Sequence, residues 1–391
     1  MSAKSVTILG VTGSIGRSAS DVVASDPSRF SVQCVTAHTN TGDLAEQAIK
    51  LNARKAVIAD PSKYAELKER LTGTGIEAAA GQDAIEDAAA EPADIIVAAI
   101  IGMAGLPSLM KAIAQGKCVA IANKEPLVAA GPLVMAAAQK HGTTLLPVDS
   151  EHNAIFQVFD FQRPGSIDKI ILTASGGPFL RWGRDDVARA TPAQALAHPN
   201  WTMGRKISID SATMMNKALE VIEAHYLFDM PADKIHVLIH PQSIVHSMVS
   251  YKDGSVLAQM GASDMRTPIS HVLGWPDRME TPGEKLDFSK PLNLQFEPLN
   301  PVQFPALALA YHALEEGLSA CLALNAANEI AVAHFLEKRC SFLDIMACNA
   351  DILSKIKATT LEAMDDIIAF DADIRRTAVS WFADTHQRKA V

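Results

Sequence analysis

From Ser5 to about Val148, short apolar runs alternate with Ala/Leu-rich stretches of helical period. The runs Ser5–Leu9, Ser31–Thr36, Ala56–Ile58, Ile95–Ala99, Cys118–Ala122 and Thr144–Val148 are rich in Val, Ile, Leu and Ala, nearly continuously so in Ala56–Ile58, Ile95–Ala99 and Cys118–Ala122. Strands of that kind are buried on both faces of a parallel sheet, with helices between them. The rhythm predicts an α/β fold class, a Rossmann-like doubly wound parallel sheet that takes ligands beyond its strand C-termini. From Asp149 the pattern changes: strands are expected at Lys169–Thr173, Ile235–Ile239 and Val256–Met260 among polar clusters, as in a mixed α+β domain. Residues 277–300 are rich in Pro and polar side chains without periodicity and predict a linker. Beyond it, Pro305–Leu318, Ala323–Lys338, Phe342–Lys357 and Ala378–His386 carry apolar residues on one helical face, predicting a C-terminal bundle. The expected domains are thus 1–149, 150–276 and 301–391, joined by the linker.

Length and charge narrow the function. The 391 residues exceed what one core of roughly 250–300 residues supports, so more than one domain is expected. A net charge of −9 argues against a nucleic-acid partner, and any anion must meet a local basic site. The strongly apolar stretch Ile95–Met103 is too short for the roughly 20 residues that span a bilayer, so no membrane partner is expected. A strand so near the initiator Met leaves no room for a leader, which predicts a cytoplasmic protein. The five cysteines, Cys34, Cys118, Cys321, Cys340 and Cys348, show no C-x-x-C spacing, so neither disulfides nor thiolate metal sites are expected.

The first strand runs into Gly10-Val11-Thr12-Gly13-Ser14-Ile15-Gly16 and then a helix. Glycines allow the tight turn and the approach of backbone N–H groups to a pyrophosphate, with the helix N-terminus favouring the anion. At the end of the second strand, where an acid would take the ribose 2′-hydroxyl of NAD, stand Ala37, His38, Thr39 and Asn40, with the first acid only at Asp43. That favours NADP. Ile100-Ile101-Gly102 and Asn123-Lys124-Glu125 should lie on the same rim, toward the nicotinamide.

Asp149-Ser150-Glu151 follows the last of the parallel strands, where alternation would put both carboxylates on one side, ~7 Å apart if extended. Glu220, four residues after Asn216 on a helix expected over 211–223 and beside Lys217, is a third acid. Three carboxylates without Cys suit a hard cation, Mg²⁺ or Mn²⁺, with positions left for substrate oxygens. Ser175-Gly176-Gly177 reads as a backbone nest, while Ser211, Asn216 and Lys217 offer donors to a phosphate. His198 to Arg205, with Trp201 and Gly204, lacks periodicity and reads as a mobile lid near 198–206. His236 and His240 have zinc-helix spacing, but the β-branched residues between them predict a strand and a core role.

Gly10–Gly16, Ala122-Asn-Lys-Glu125, Leu146–Phe156, His198–Lys206, Asp210–Glu220, Ile239–Ser243 and Ala323–Glu329, in order along nearly the whole chain, closely resemble the 1-deoxy-D-xylulose 5-phosphate reductoisomerase family. The resemblance implies a cytoplasmic homodimer that uses NADPH and a divalent cation to make 2-C-methyl-D-erythritol 4-phosphate from a sugar phosphate. It implies Asp149, Glu151 and Glu220 as metal ligands, and Lys124, Ser150, Ser175, His198, Ser211, Asn216 and Lys217 as substrate contacts, Lys124 also as a helper in charge or proton movement. Thr12 to Ile15, Asn123, Glu125 and Gly204 would meet NADPH. The chain departs from the family where His38-Thr39 replaces a Gly and a basic residue, and where Ala174 replaces a Gly. Two other readings stay open at this point: a metal-free NADP-dependent semialdehyde or hydroxy-acid dehydrogenase, and a non-catalytic NADP-binding module.

Overall fold

The computed structural model describes residues 3–389, which form two compact units. The first unit comprises the described residues up to Pro126, with Val134–Phe156 and Asp264–Leu286; the second comprises Leu127–Leu133, Gln157–Ser263 and the described residues from Asp287.

The first unit is built on β1 (Lys4–Leu9), β2 (Phe30–Ala37), β3 (Lys55–Ile58), β4 (Glu77–Ala80), β5 (Ile95–Ala98), β6 (Cys118–Ile121) and β7 (Thr144–Pro147). All are parallel, in the spatial order β4-β3-β2-β1-β5-β6-β7. The order reverses between β1 and β5, so the switch point, where such sheets bind ligands, lies at Gly10 and Ile100. Val6, Ile8, Val35, Ile95 and Val97 fill the core beneath it. The doubly wound sheet is as the sequence predicts, with one strand more: Glu77–Ala80 has no β-branched residue to mark it as a strand, yet pairs with β3 along its whole length. The helix Arg266–Gly274 returns to this unit and packs on the helix Ser14–Ser25. Lys4 Nζ donates to the carbonyls of Leu273, Gly274 and Trp275 at 3.1, 3.4 and 2.8 Å, satisfying orphan acceptors at that helix end.

The second unit carries β8 (Ile167–Ala174), β9 (Ile235–Ile239), β10 (Val245–Tyr251), β11 (Val256–Met260) and β12 (Glu297–Pro298), in the order β11-β10-β8-β9-β12. Only β8 and β9 are parallel. Helix Met215–Phe228 packs on this sheet and against helix Ala306–Glu316. The C-terminal helices end where local chemistry dictates: Gly317, at φ +98, separates Ala306–Glu316 from Leu318–Leu336, which the expected helix over Pro305–Leu318 had run through. Leu318–Leu336 is long and apolar enough to cross a bilayer, but most of it is buried, as in a core helix. The last helix is Met364–Lys389, longer than expected because its acidic first half is held by pairs such as Arg375 with Asp371 at 2.6 Å.

Candidate active site

The glycine turn is sterically closed around its own backbone. A Cβ on Gly10 (φ +86) would lie 2.6 Å from the Ala99 carbonyl oxygen, and one on Gly16 would lie 2.2 Å from that of Gly10. Gly13 meets nothing nearer than 3.5 Å and leads into the helix Ser14–Ser25 with no side-chain cap. Its first N–H groups are therefore left to an anion, which is the shape a pyrophosphate requires. Thr12 and Ile15 flank the turn, while Ala37 is buried at the tip of β2 and Asn40 caps the helix that follows by accepting from the Asp43 N–H at 3.1 Å.

On the other side of the switch point Asn123 follows β6. Its Nδ2 donates to the carbonyls of Ile100 at 2.6 Å and Gly102 at 2.8 Å, which pins the loop after β5. Glu125 is buried one residue beyond Lys124, whose ammonium lies 2.8 Å from Asp149. Burial alone would raise the Asp149 carboxyl, but the Lys124 charge and then His152 hold it well below the usual range. It is an anion at neutral pH.

The carboxylate pair is not extended, contrary to the expectation of alternating positions. The strand stops at Pro147 and a helix begins at Ser150. Asp149 accepts from the Glu151 N–H at 3.3 Å through its side chain and from the Asn153 N–H at 2.8 Å through its carbonyl. Asp-Ser-Glu is a helix-start signature, and the local capping bonds win over continuation of the strand. Ser150 Oγ in turn donates to Glu151. Two residues that sequence reasoning missed brace the turn. Asn153 donates to the Pro147 carbonyl at 2.9 Å and meets His271 Nδ1 at 3.1 Å, and His271 packs beside Phe156 and Trp275. Nothing local signals the pairing, since His271 is 118 residues away.

In the second unit, the expected helix over 211–223 is two helices, Arg205–Thr213 and Met215–Phe228, broken by Met214 at φ +63. Ser211 lies on the first, Asn216, Lys217 and Glu220 on the second. Glu220 is buried and accepts from both the Asn216 amide and the Lys217 ammonium, as i, i+4 and i, i+3 spacing allows. The nest lies against the first helix: a Cβ on Gly177 (φ +66) would come within 2.7 Å of the Ser211 carbonyl.

The segment 198–204 is irregular but tied down by His198. Its Nδ1 accepts from the N–H groups of Asn200 at 3.2 Å and Trp201 at 2.9 Å, so the neutral ring carries its proton on Nε2 and donates it to Ser175 Oγ at 2.9 Å. Ser175 also accepts from the Gly177 N–H at 3.1 Å, which leaves its hydroxyl hydrogen directed elsewhere. Trp201 has its ring 6.0 Å from that of His246, and Gly204 starts the helix Arg205–Thr213. His236 and His240 sit on or just after β9, the predicted strand, but the expected core role holds for only one of them: His236 is exposed, whereas His240 is buried and its Nε2 accepts from the Ile244 and Val245 N–H groups at 3.1 Å each. Also unforeseen is a buried chain in which Asn349 donates to Asn328 at 3.1 Å and Asn328 to Asp210 at 2.7 Å, fastening the helix before Met214.

A doubly wound parallel sheet with a glycine turn at its switch point is the architecture of a dinucleotide-binding protein, and the relatives it resembles place it among the NADP-dependent oxidoreductases. Family models described as 1-deoxy-D-xylulose 5-phosphate reductoisomerase match residues 6–131, as its C-terminal domain residues 145–228, and as the DXP reductoisomerase C-terminal domain residues 260–377. The protein of that name from Rhodospirillum centenum is 55% identical over 96% of this chain and 93% of its own. A solved structure of the Zymomonas mobilis protein in complex with NADPH aligns with a TM-score of 0.93 at 51% identity, covering 97% of this chain and 99% of that one. Another, of a DOX-P reductoisomerase in complex with NADPH, fosmidomycin and magnesium, gives 0.91 at 40% identity over 98% and 99%. The chain belongs to the 1-deoxy-D-xylulose 5-phosphate reductoisomerase family.

Proposed function

We propose that the chain converts 1-deoxy-D-xylulose 5-phosphate to 2-C-methyl-D-erythritol 4-phosphate with NADPH and a divalent cation, in isoprenoid precursor synthesis by the non-mevalonate route. Family membership over nearly the whole chain supports the substrate. Within the molecule the observation that carries the reading is the trio of half-buried Asn216 with buried Lys217 and Glu220: an acid suited to a hard cation beside two donors suited to a phosphate, on one helix. The relatives solved with NADPH and magnesium support the same two partners here. The metal-free dehydrogenase and the binding module have no comparable support.

Asp149, Glu151 and Glu220 are the proposed ligands of Mg²⁺ or Mn²⁺. The donor chemistry fits, since all three are hard carboxylates and Asp149 is held ionised. Bound there, the cation would supply Lewis acidity for charge developing on the sugar oxygens, and NADPH would supply the hydride. Lys217, Ser211, Asn216 and Ser175 anchor the remote phosphate, which orients the carbon skeleton. His198 keeps Ser175 in place through Nε2–H. Ser150 and Glu151 meet the sugar hydroxyls, and Lys124, poised at Asp149, holds positive charge where negative charge develops. Trp201 covers the substrate and keeps water out. Gly10, Thr12, Gly13, Ser14, Ile15 and Gly16 cradle the pyrophosphate, Ala37 and Asn40 border the adenosine ribose, and Asn123, Glu125 and Gly204 reach the nicotinamide half.

The proposed domains assign cofactor binding to 1–149, metal and substrate binding to 150–276 with the lid near 198–206, a linker to 277–300 and a helical domain from 301, whereas the compact units cut across these bounds, with Asp264–Leu286 in the first. The homodimer proposed for the chain is supported by apolar side chains left exposed in the second unit, Val256 and Leu257 on the edge strand β11 and Phe288 and Phe296. A cytoplasmic setting agrees with five free cysteines. The test is NADPH consumption with deoxyxylulose phosphate, with and without Mg²⁺. Turnover that survives complete chelation, or no turnover with both cofactors present, would refute the proposal.

A further inference from the structure

Dinucleotide folds sort NAD from NADP at the tip of the second strand, where an acid takes the ribose diol or a nearby arginine takes the 2′-phosphate. This chain has neither in the residues directly after β2: Ala37 is buried, and His38, Thr39 and Asn40 are exposed. The first acid, Asp43, is already engaged, accepting from Asn40 Nδ2 at 2.6 Å and pairing with Arg17. Arg17 stands in the first turn of the helix that leaves the glycine turn, and its Nε donates to the Thr12 carbonyl at 3.2 Å. One edge of the guanidinium is thus tied to the glycine turn and the other to the helix that follows β2. These are the two loops an adenosine ribose must pass between, and all of these residues belong to the first unit.

Of the five N–H groups of the fork, the two bonds use two and leave three, on a side chain half exposed to solvent. We infer that Arg17 is the residue by which this chain selects NADPH over NADH, its remaining N–H groups taking the 2′-phosphate. The same ion pair has a second effect: it keeps the Asp43 carboxylate away from a ribose diol, so one contact both favours NADP and disfavours NAD. Arginine suits the task because its charge does not titrate in the working range and its planar fork can meet two phosphate oxygens at once. The inference rests on the proposed use of the glycine turn for the cofactor.

The test is calorimetric binding of NADPH and of NADH to the full chain without sugar phosphate. Arg17→Gln is expected to weaken NADPH about 10- to 100-fold, the loss typical of charge-assisted bonds to a phosphate, and to leave NADH within about twofold or tighter. NADH binding serves at the same time as the check that the variant is folded. His38→Gln is expected to leave the ratio of the two affinities unchanged. Ser14→Asp, which sets a like charge at the helix N-terminus, is expected to weaken both cofactors together. If Ser14→Asp changes neither, the glycine-turn reading fails. If it weakens both while Arg17→Gln leaves the ratio intact, or if His38→Gln abolishes the preference instead, only the assignment of Arg17 is overturned.

Discussion

Replacing His271 by Gln should make the first unit less sensitive to acid. Burial pushes the His271 imidazole down to about 4, with Arg278 adding to the effect. Its Nδ1 faces the Asn153 amide at 3.1 Å, so in the neutral ring Nδ1 accepts and protonation there would oppose two donors. The folded value lies below the unfolded one. Between about pH 6.5 and 4 the unfolded chain therefore binds a proton that the folded chain refuses, and stability falls as the pH falls through that window. At about 1.4 kcal/mol per pH unit the full gap amounts to about 3 kcal/mol, of which about 2 kcal/mol is lost by pH 4.5. Gln keeps an acceptor for Asn153 but does not titrate. Urea unfolding at pH 7, 6 and 4.5 measures the difference, followed by the fluorescence of Trp275 after Trp182→Phe, Trp201→Phe and Trp381→Phe. The wild-type histidine should cost about 2 kcal/mol more than Gln between pH 7 and 4.5. Equal losses, or a larger loss in the variant, would refute the reasoning.

Three other perturbations read different parts of the account. Asp94, bonded to the Ser5 N–H at 2.8 Å and hydroxyl at 2.7 Å and then to Lys117, is held down to about 2. Its stabilisation is present above about pH 4 and lost toward pH 2; because the side chain is partly exposed, Asp94→Ala should cost only about 1 kcal/mol at pH 7 by thermal denaturation. Lys217→Met should raise the substrate KM at least about tenfold with a smaller change in kcat, and an unchanged KM would contradict the phosphate anchor. Gly177→Ala forces a Cβ to 2.7 Å from the Ser211 carbonyl at φ +66, so both the melting temperature and substrate affinity should fall, by about 1–3 kcal/mol in stability; a neutral outcome would show that the nest is not fixed against that helix.

Strands such as Ile95–Ala98 were legible because continuous Val and Ile leave few alternatives, and the doubly wound order follows from their alternation with helices. Glu77–Ala80 was not legible, since three alanines become a strand only when β3 offers its edge. Val245–Tyr251 was hidden by His246, Ser247 and Ser250, which are buried in this fold. At the site, the glycine turn and the acids could be named from residue type and spacing. Their geometry could not: capping turned Asp149-Ser150-Glu151 out of the strand, and a left-handed Met214 split the helix that holds Ser211 from the one that holds Glu220. The bracing groups, Asn153 with His271 and Asp210 with Asn328, join positions more than a hundred residues apart. Periodicity carries no trace of such pairs.

The central claim is that Asp149, Glu151 and Glu220 serve one hard cation. It is tested most directly by titrating Mn²⁺ into wild type, Asp149→Asn and Glu220→Gln under identical conditions and reading the bound ion by electron paramagnetic resonance. The account predicts one tight site per wild-type chain and a loss of about tenfold or more in affinity in both variants. Retained tight binding in either variant would contradict it.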